Sequence, residues 1–471
     1  MSFVTKEFFL LMSIILVCLL ILQTKWIYKL LKNKVNVVKE IILFIASYVF
    51  YGYWDWRFCF LLLFMTVVAY VTALNCKNKI AYTVGICVPI GVLMIFKYFN
   101  FFVDSFMALA GHKFDALNII LPVGISFYTF QALSYVIDVK RNKLEVERDF
   151  LKLAVYIAFF PQLVAGPIVK AADFLPQLRE DRKVTWKRFQ EGVCIFVFGC
   201  VKKVIFADWL SVFVDDVFYA PKAYNWLTII LAVFSYSIQI YFDFSGYSDM
   251  AVGCARIMGY DFNKNFNVPY LSENVTEFWR RWHISLSTWL KEYVYIPLGG
   301  NRKGKVRQYI NLFATMLIGG LWHGANWTFV VWGGMHGLAL CLDKIIMRYI
   351  KNNVSTLHKI FRVMCVNIFV SFCWIFFRAD TFTKAGEIIK GIFTLQNGVS
   401  QPYIWSIVAI VVVIIAYIVA ILKSSDKPSV DGDYILLDFN KWVHLVILFV
   451  IIGLILGLGY TGQAPFVYFQ F

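Results

Sequence analysis

The sequence predicts an all-α, polytopic membrane protein, and three features of its composition support this class. Of its 471 residues, 60% are hydrophobic and only 16% are charged, and the mean hydropathy is +0.68. A soluble domain of this length would be far less apolar. The net charge of +16 is concentrated between apolar runs, as in cytoplasmic loops, so a nucleic-acid partner is not indicated. No long polar stretch separates modules, and we expect a single domain over residues 1–471.

Apolar runs mark the candidate spans and predict roughly 11–12 transmembrane helices. The basic loop between Lys25 and Lys39 follows the first run, which places that loop in the cytoplasm and the N-terminus outside. An even number of crossings then places the C-terminus outside as well. The predicted spans are 7–23, 41–54, 58–74, 80–99, 117–137, 190–210, 225–242, 308–322, 326–347, 361–377, 403–422 and 443–460.

Two regions do not fit a simple spanning helix. Residues 151–175 contain an apolar run broken by Pro161, Gly166 and Pro167, and residues 243–300 mix aromatic, glycine and charged residues. Irregular backbone at membrane depth is tolerated only where protein or water satisfies its polar groups. We therefore expect re-entrant or cytoplasm-facing segments there.

His323 is the sharpest candidate for a functional residue. It falls in the predicted bend between spans 308–322 and 326–347, and Gly319, Gly320 and Gly324 surround it. Ionisable groups within membrane proteins are costly and are functional by default, and imidazole transfers protons near neutral pH. A histidine that only hydrogen-bonds a neighbouring helix is the equally weighted alternative.

A second histidine, His283, follows two arginines and two tryptophans in the segment 278–283. Arg280 and Arg281 can bind phosphate or carboxylate groups, or pair with acidic neighbours such as Glu277. The alternative is an interfacial belt in which arginine heads reach water and tryptophan rings mark the boundary.

Three further residues are weaker candidates. His336 lies on span 326–347, where a packing role is at least as plausible as a role in the site. Asp243, at the predicted end of span 225–242, can orient a histidine or an arginine, or belong to a structural network. Tyr468 lies in an aromatic tail that should not be free in water; it is either an interfacial anchor or an acyl acceptor near His323. The ten cysteines are scattered without paired spacing, so no metal site is predicted.

These motifs together resemble the membrane-bound O-acyltransferase (MBOAT) family, and within it the bacterial branch that includes the alginate and peptidoglycan O-acetyltransferase membrane subunits. The segment IPLGGNRKG at 296–304 favours this branch over the related teichoic-acid D-alanyl transfer proteins. The matching stretches are LPVGISFYTFQ at 121–131, FFPQLVAGPI at 159–168, YFDFSGYSDMA at 241–251, NFNVPYLSENVTEFWRRWHISLSTWLKEYVYIPLGGNRKG at 265–304 and GGLWHGANWTFVVWGGMHG at 319–337.

The resemblance implies an MBOAT fold, with a ring of helices and re-entrant segments around a central tunnel in the bacterial cytoplasmic membrane. It implies a core over about 40–340, C-terminal helices over 361–460 and an outward tail over 461–471. In such proteins the histidine matching His323 is catalytic and that matching His283 lies on the cytoplasmic side of the tunnel. The tail tyrosine, here Tyr468, becomes a candidate acyl relay.

The predicted reaction moves an acetyl group from a cytoplasmic thioester, acetyl-CoA or another acyl thioester, to a hydroxyl outside. His323 acts as general base, and His283 positions the donor or polarises its carbonyl. Arg280, Arg281 and Lys291 meet the donor's phosphates, and Trp322 walls the acyl channel.

No bound cofactor is expected. The predicted partners are membrane lipid, the thioester, and a glycan acceptor or a separate extracytoplasmic O-acetyltransferase of the SGNH type. The alternatives are D-alanyl transfer to teichoic acid, a flippase for a glycan or its lipid carrier, a non-catalytic scaffold and a lipid-directed acyltransferase.

Overall fold

The computed structural model describes residues 1–112, 114–164, 166–347, 355–423, 434, 436–462 and 466. Within these residues the regular structure is helical and contains no strand, which confirms the all-α class. The chain divides into two compact units, whose contact boundaries fall inside two of the helices. The central tunnel stays a prediction.

The first unit comprises residues 1–196, 247–263 and 436–441. Its helices begin at side-chain caps where the sequence supplies them: Asn78 accepts from the backbone N–H of Ile80 at 2.8 Å, and Asp149 from that of Leu151 at 3.0 Å. The helices are α1 (Lys6–Leu22), α2 (Lys25–Leu31), α3 (Val35–Gly52), α4 (Arg57–Leu74), α5 (Lys79–Leu93), α6 (Phe99–Leu109), α7 (Ile125–Lys140), α8 (Phe150–Ala158), α9 (Phe160–Leu163), α10 (Ala171–Arg179) and the first part of α11 (Trp186–Cys200).

A cluster of arginines around one carboxylate holds the end of this unit together. Asp261 pairs with Arg182 at 2.5 Å, with Arg188 at 3.0 Å and also with Arg256. Burial of Asp261 would raise its pKa, but hydrogen bonds from Arg188 and Arg182 and the charge of Arg256 hold it below the usual value. The carboxylate therefore stays charged in the folded protein at neutral pH.

The second unit comprises residues 197–246, 264–435 and 442–471. It contains a core of aromatic residues that includes Trp282, Trp332 and Trp374, each with no exposed surface. Its helices are α12 (Asp208–Tyr219), most of α13 (Trp226–Ile257), α14 (Val275–Arg281), α15 (Ile284–Leu290), α16 (Lys305–His323), α17 (Trp327–Ile346), α18 (Thr356–Arg378), α19 (Phe382–Phe393), α20 (Ile404–Lys423) and α21 (Trp442–Leu458).

The helices α16 and α17 form an antiparallel pair whose backbones touch. A Cβ atom at Gly320 would overlap the carbonyl oxygen of Phe329, and one at Gly333 would overlap that of Met316. Small residues allow two helices to approach this closely. The pair thereby fixes the position of the bend that joins them.

The predicted irregular region 151–175 is confirmed. Helix α8 stops at Ala158, and Pro161 stands in the first turn of the four-residue α9, because proline suits a helix start but not a helix interior. The backbone carbonyl of Leu163 leaves no room for a side chain at Gly124, which precedes α7 in the left-handed conformation.

Two details of the predicted spans are wrong. Span 117–137 is helical only from Ile125, where α7 begins. Helix α13 does not stop at residue 242 but continues to Ile257, so the mixed segment predicted from 243 begins fifteen residues later. The buried carboxylate of Asp243 pairs with Lys203 at 2.6 Å, which allows the helix to continue past residue 242.

Of the predicted 11–12 spanning helices, the described residues establish about half. By length and composition, six helical segments of the described residues can cross a membrane, or seven if the bent pair α1–α2 counts as one. Other predicted spans are short helices, such as α7 with 16 residues and α21 with 17. A helix needs about 20 residues to cross the hydrocarbon core. The protein is nevertheless a multi-pass membrane protein.

Candidate functional site

His323 is the last residue of α16, and the bend predicted at this histidine is present. Helix α17 starts three residues after Gly324, at Trp327, where the side chain of Asn326 accepts from the backbone N–H of Thr328 at 3.0 Å. A side chain at Gly324 would overlap the ring of Phe329. The tight bend therefore depends on a glycine directly after the histidine.

The imidazole of His323 is enclosed by aromatic rings. The residue is 3% exposed, and its ring meets those of Trp322, Trp332 and Phe377 edge-on, with centroids 4.9, 5.0 and 5.3 Å away. Only the uncharged form of a histidine can accept a proton, as a general base must.

His283 lies between α14 and α15 and is held by a backbone that histidine rarely adopts. Its φ is 42°, in the left-handed region. The backbone N–H of Ile284 donates to the carbonyl of Asn265 at 2.8 Å, and that of Asn267 to the carbonyl of Arg281 at 2.9 Å. Left-handed backbone at a residue other than glycine costs about 1–3 kcal/mol and is concentrated at functional sites.

The hydrogen bonds of Asn265 fix the tautomer of His283. The Oδ1 atom of Asn265 accepts from the backbone N–H of Ser285 at 3.2 Å and from its hydroxyl at 2.8 Å. The same oxygen lies 3.1 Å from Nδ1 of His283. Because this oxygen only accepts, Nδ1 of the neutral ring must carry the proton, which leaves the lone pair on Nε2.

His336, in the middle of α17, has the opposite tautomer. The indole Nε1–H of Trp279 donates to its Nδ1 at 3.3 Å. Indole nitrogen donates and never accepts, so Nδ1 of His336 carries the lone pair and Nε2 carries the proton. One buried histidine thus presents an acceptor and another presents a donor.

The three histidines are joined by two tryptophans, and we call these five residues the histidine chain. The Trp322 ring lies between His283 and His323, at 5.9 and 4.9 Å between centroids. The Trp332 ring lies between His323 and His336, at 5.0 and 4.9 Å. Residues far apart in the sequence therefore form one continuous aromatic layer.

Several ring nitrogens in this layer have no hydrogen-bond partner among the described residues. They are Nε2 of His283, Nε2 of His336, and the indole nitrogens of Trp282 and Trp332. All four side chains are fully buried. An unsatisfied buried polar group costs about 1–3 kcal/mol, and such groups call for an explanation. Three of them belong to the histidine chain and the fourth to the adjacent Trp282, which makes this layer a candidate site for a polar ligand.

A pocket of about 340 Å³ adjoins the histidine chain, and all of its charged lining residues are cations. We call it the cationic pocket. Trp279, which holds His336, forms part of its wall, while Ile284, Leu290, Leu312 and Leu340 make much of the remainder apolar. Its charged lining residues are Arg280, Lys291 and Lys344. The pocket suits an anionic ligand with an apolar portion.

The structure thus brings Arg280 and Lys291 together, as the sequence predicts, but places Arg281 elsewhere. Arg281 pairs with Glu277 at 2.6 Å along one helix, which is the alternative left open from the sequence. Asp243 lies inside α13 rather than at a span end. It pairs with the buried Lys203 at 2.6 Å, and Lys203 also pairs with Asp208 at 2.7 Å.

Tyr468 lies outside the described residues, and its predicted role stays a prediction. Phe466, two residues earlier, is 1% exposed. Its ring packs on Phe244, at 5.8 Å, which in turn packs edge-on against His283 at 4.5 Å. This part of the tail is therefore inserted into the protein.

Sequence reasoning missed several residues of the site. Asn265 fixes the His283 tautomer, Trp279 fixes that of His336, and Lys344 completes the charge of the cationic pocket. Asn265 and Trp279 lie 18 and 57 residues from the histidines they hold. No local pattern could identify them, although two tryptophans beside a buried histidine were a partial signal.

A family model for membrane-bound O-acyltransferases matches residues 146–381, the range that contains His283, His323 and His336. The probable alginate O-acetylase AlgI of Pseudomonas syringae pv. tomato is 41% identical over 374 residues, covering 76% of this chain and 71% of that protein. The chain belongs to the membrane-bound O-acyltransferase family.

Two further relatives show how widely this similarity extends. The peptidoglycan O-acetyltransferase of Helicobacter pylori is 36% identical over 76% of this chain and 74% of its own length. The teichoic acid D-alanyltransferase of Bacillus subtilis is 29% identical over 47% of this chain and 59% of its own length. As a member of the MBOAT family, the chain is an O-acyltransferase.

Proposed function

We propose that this enzyme transfers an acetyl group from an anionic thioester to a hydroxyl group of a cell-wall or exported polysaccharide. The thioester, acetyl-CoA or a related donor, enters from the cytoplasm, and the acceptor lies on the other side of the bacterial cytoplasmic membrane. The observation that carries the proposal is the histidine chain, with one ring nitrogen that accepts and one that donates beside a cationic pocket. The printed names of two relatives, an alginate O-acetylase and a peptidoglycan O-acetyltransferase, support the acetyl group and the polysaccharide.

The cationic pocket is the proposed donor site. Arg280, Lys291 and Lys344 supply three positive charges at its wall, which suits the phosphate groups of a nucleotide thioester. The apolar part of the pocket accommodates the uncharged arm of the donor. Trp279 lines this pocket and also donates a hydrogen bond to His336. A donor bound in the pocket therefore lies with its thioester toward the histidine chain.

His323 is the proposed general base. Its neutral ring takes the proton of the acceptor hydroxyl as that oxygen attacks the thioester carbonyl carbon. The new carbon–oxygen bond gives a tetrahedral oxyanion, and collapse of that intermediate breaks the carbon–sulfur bond. The thiolate receives the proton from His323, so the products are an ester and a free thiol and the histidine is regenerated.

His336 and His283 have complementary proposed roles. A carbonyl oxygen that gains charge needs a hydrogen-bond donor, and the Nε2–H of His336 supplies one. The lone pair on Nε2 of His283 suits an N–H group of the donor's arm, so His283 positions the donor rather than polarises its carbonyl. The Trp322 ring lies between the rings of His283 and His323 and forms part of the wall of the acyl channel.

The acceptor reaches His323 from the side of the bend. It is either the glycan hydroxyl itself or a residue that relays the group, Tyr468 or the serine of a separate extracytoplasmic O-acetyltransferase of the SGNH type. D-alanyl transfer uses the same steps with another acyl group.

Replacing His323 with alanine tests the proposal in cells that make the polysaccharide. The polysaccharide should lose its ester groups, by about 100-fold or more, while the amount exported is unchanged. The measurements are the O-acyl content and the yield of exported polysaccharide. His358→Ala is the matched control, because His358 is exposed at the start of α18.

The two readouts separate the alternatives. Loss of export in His323→Ala would favour a flippase, and full esterification with normal amounts of the variant in the membrane would rule out His323 as the base. Purified enzyme that transfers label from acetyl-CoA to a hydroxyl acceptor excludes a scaffold. The chemical identity of the transferred group decides between acetyl and D-alanyl.

A further inference from the structure

A groove of the first compact unit is lined by four lysines and, among its described lining residues, by no carboxylate. We call it the lysine groove. It has a volume of about 440 Å³ and lies where α1 ends and α2 begins. The proposed reaction makes no use of it. Its lining residues are Gln23, Lys25, Tyr28, Lys29, Lys32 and Lys183.

The lysine groove is assembled from two distant parts of the chain. Lys25, Lys29 and Lys32 follow one another at intervals of four and three residues, which places them along one side of α2 and its end. The loop before α11 supplies Lys183, whose Nζ atom lies 5.5 Å from the ring centroid of Tyr28. Folding therefore brings a fourth positive charge to a side of α2 that already carries three.

Most of this positive charge is not neutralised by the protein. Lys25, Lys29 and Lys32 are exposed, and none of them forms an ion pair with a described residue. Lys183 lies 3.8 Å from the carboxylate of Asp181, which also accepts a hydrogen bond from the hydroxyl of Tyr28 at 3.2 Å. The four lysines and this one carboxylate carry a net charge of +3. Such a concentration of one sign of charge attracts anions.

Helix α2 has the features of a helix that lies on a membrane surface. None of its seven residues is buried, and a helix this short is not stable by itself. It turns away from α1 by 75°, as expected when α1 enters the membrane and α2 runs along its surface. Trp26 and Leu30, one turn apart on α2, are 75% and 65% exposed. Exposed apolar residues beside lysines are typical of interfacial helices.

We infer that the lysine groove binds the phosphate headgroup of an anionic phospholipid, and that a lipid with two phosphates binds more tightly than a lipid with one. Lysine ammonium groups attract phosphate as point charges, and basic pockets beside membrane helices bind lipids such as cardiolipin. The acyl chains would lie against Trp26 and Leu30. Those exposed side chains favour a lipid over an acidic soluble protein, which would leave them in water. This inference does not depend on the proposed reaction.

Lipid binding to the full chain tests the inference. Delipidated enzyme in detergent is mixed with cardiolipin, phosphatidylglycerol or phosphatidylcholine, and native mass spectrometry measures the Kd of each lipid. Cardiolipin should bind at least about tenfold more tightly than phosphatidylcholine, with phosphatidylglycerol between them. The double variant Lys25→Gln, Lys29→Gln should weaken cardiolipin binding by about tenfold or more and leave phosphatidylcholine binding unchanged.

The double variant Lys77→Gln, Lys79→Gln is the matched control. It removes the same charge from exposed lysines at the turn between α4 and α5. Two helices that can span the membrane, α3 and α4, separate this turn from α2, so both lie on the same side. The control should bind cardiolipin as tightly as the unsubstituted enzyme. Equal weakening in the two double variants would show a general attraction of lipids to basic loops and would overturn the site.

Thermal unfolding gives a second measurement on the same proteins. Cardiolipin should raise the Tm of the unsubstituted enzyme and of the control, but not that of Lys25→Gln, Lys29→Gln. Without lipid the three Tm values should agree, because the substituted lysines are exposed. If the double variant does not fold, Lys29→Gln replaces it, with Lys77→Gln as its control.

Three further outcomes would overturn the lipid site. Equal affinity for cardiolipin and phosphatidylcholine would show that the headgroup charge is not recognised. Displacement of cardiolipin by millimolar inorganic phosphate would make the groove a site for the free ion. Unchanged cardiolipin binding in Lys25→Gln, Lys29→Gln, together with loss of an acidic protein that copurifies with the unsubstituted enzyme, would make it a protein-docking surface.

Discussion

At the scale of single residues, the site depends on which ring nitrogen carries a proton. His283 and His336 have the same side chain and the same complete burial, yet the first presents a lone pair and the second an N–H group. The difference comes from their partners: an amide oxygen accepts from one ring and an indole nitrogen donates to the other. Two neutral histidines can therefore perform opposite parts of one reaction.

His336→Gln and His336→Met separate a hydrogen-bond donor from a packing residue. Glutamine can place an N–H near the position of Nε2, whereas methionine fills the space without one. We expect kcat to fall by about 100-fold in the methionine variant and by clearly less in the glutamine variant, with KM for the thioester little changed in both. Steady-state kinetics on purified enzyme give both constants. Equal losses in the two variants, accompanied by lower thermal stability, would indicate packing alone.

At the scale of elements, the bend at His323 is positioned by the contact between α16 and α17. Gly320 and Gly333 meet backbone to backbone, and no side chain fits at either position. Since His323 ends one helix of this pair and His336 lies on the other, the contact sets the separation of the two rings.

Gly333→Ala and Gly334→Ala form a matched test of that contact. The new methyl group at 333 would overlap the carbonyl of Met316, whereas at 334 the nearest atom is a side-chain carbon of Leu317 at 3.5 Å. The first variant should lose about 1–3 kcal/mol of stability, and the second should be unchanged or slightly more stable, because alanine is a better helix former. Thermal unfolding in detergent measures both. Similar stabilities for the two variants would contradict the close packing.

Helix α13 contains polar residues that the sequence places after the end of the helix. The sequence suggested that the helix ends at residue 242, because a polar strip containing Asp243 follows. In the structure the buried Lys203 pairs with that carboxylate, and a buried charge is tolerated when it is paired. Helix α13 can therefore continue through the strip to Ile257.

At the scale of the whole molecule, the two ends of α17 differ in the charge that surrounds them. The cationic pocket lies at the end of α17 that carries Lys344, whereas a second cavity, lined by Asp215, Asp216 and Asp380, lies beside the start of α17. The segment that follows α17 is rich in basic residues, and basic loops favour the cytoplasmic side of a membrane. The proposed orientation, with the donor entering from the cytoplasm and the acceptor outside, follows from this polarity.

Thr356→Cys and Thr383→Cys test the orientation in intact cells. Both threonines are exposed, the first at the start of α18 and the second just after its end, in α19. A membrane-impermeant maleimide should label the cysteine at 383 directly and the cysteine at 356 only after permeabilisation. The unsubstituted protein, which has ten cysteines of its own, gives the background of maleimide labelling. The reverse pattern would refute the orientation and would exchange the sides of donor and acceptor.

The sequence alone was sufficient for the broad fold and for part of the site. Apolar runs located helices, Pro161 located a break, and the glycines around His323 located the bend. Arg280 and Lys291 were expected to lie together, and they do. The sequence could not show that Arg281 lies outside the pocket. Arg281 pairs with Glu277 instead, and this depends on the direction in which each side chain leaves a short helix.

The membrane class, the positions of most helices and the histidine at a glycine bend could all be predicted before folding, because they depend on local hydrophobicity and on backbone freedom. The tautomers, the tryptophans that join the three histidines and the charge of the cationic pocket depend on the folded structure. Each of these depends on groups brought together from distant parts of the chain, such as Trp279 and His336, 57 residues apart. Hydrogen-bond direction and pocket charge arise only when such groups meet in space.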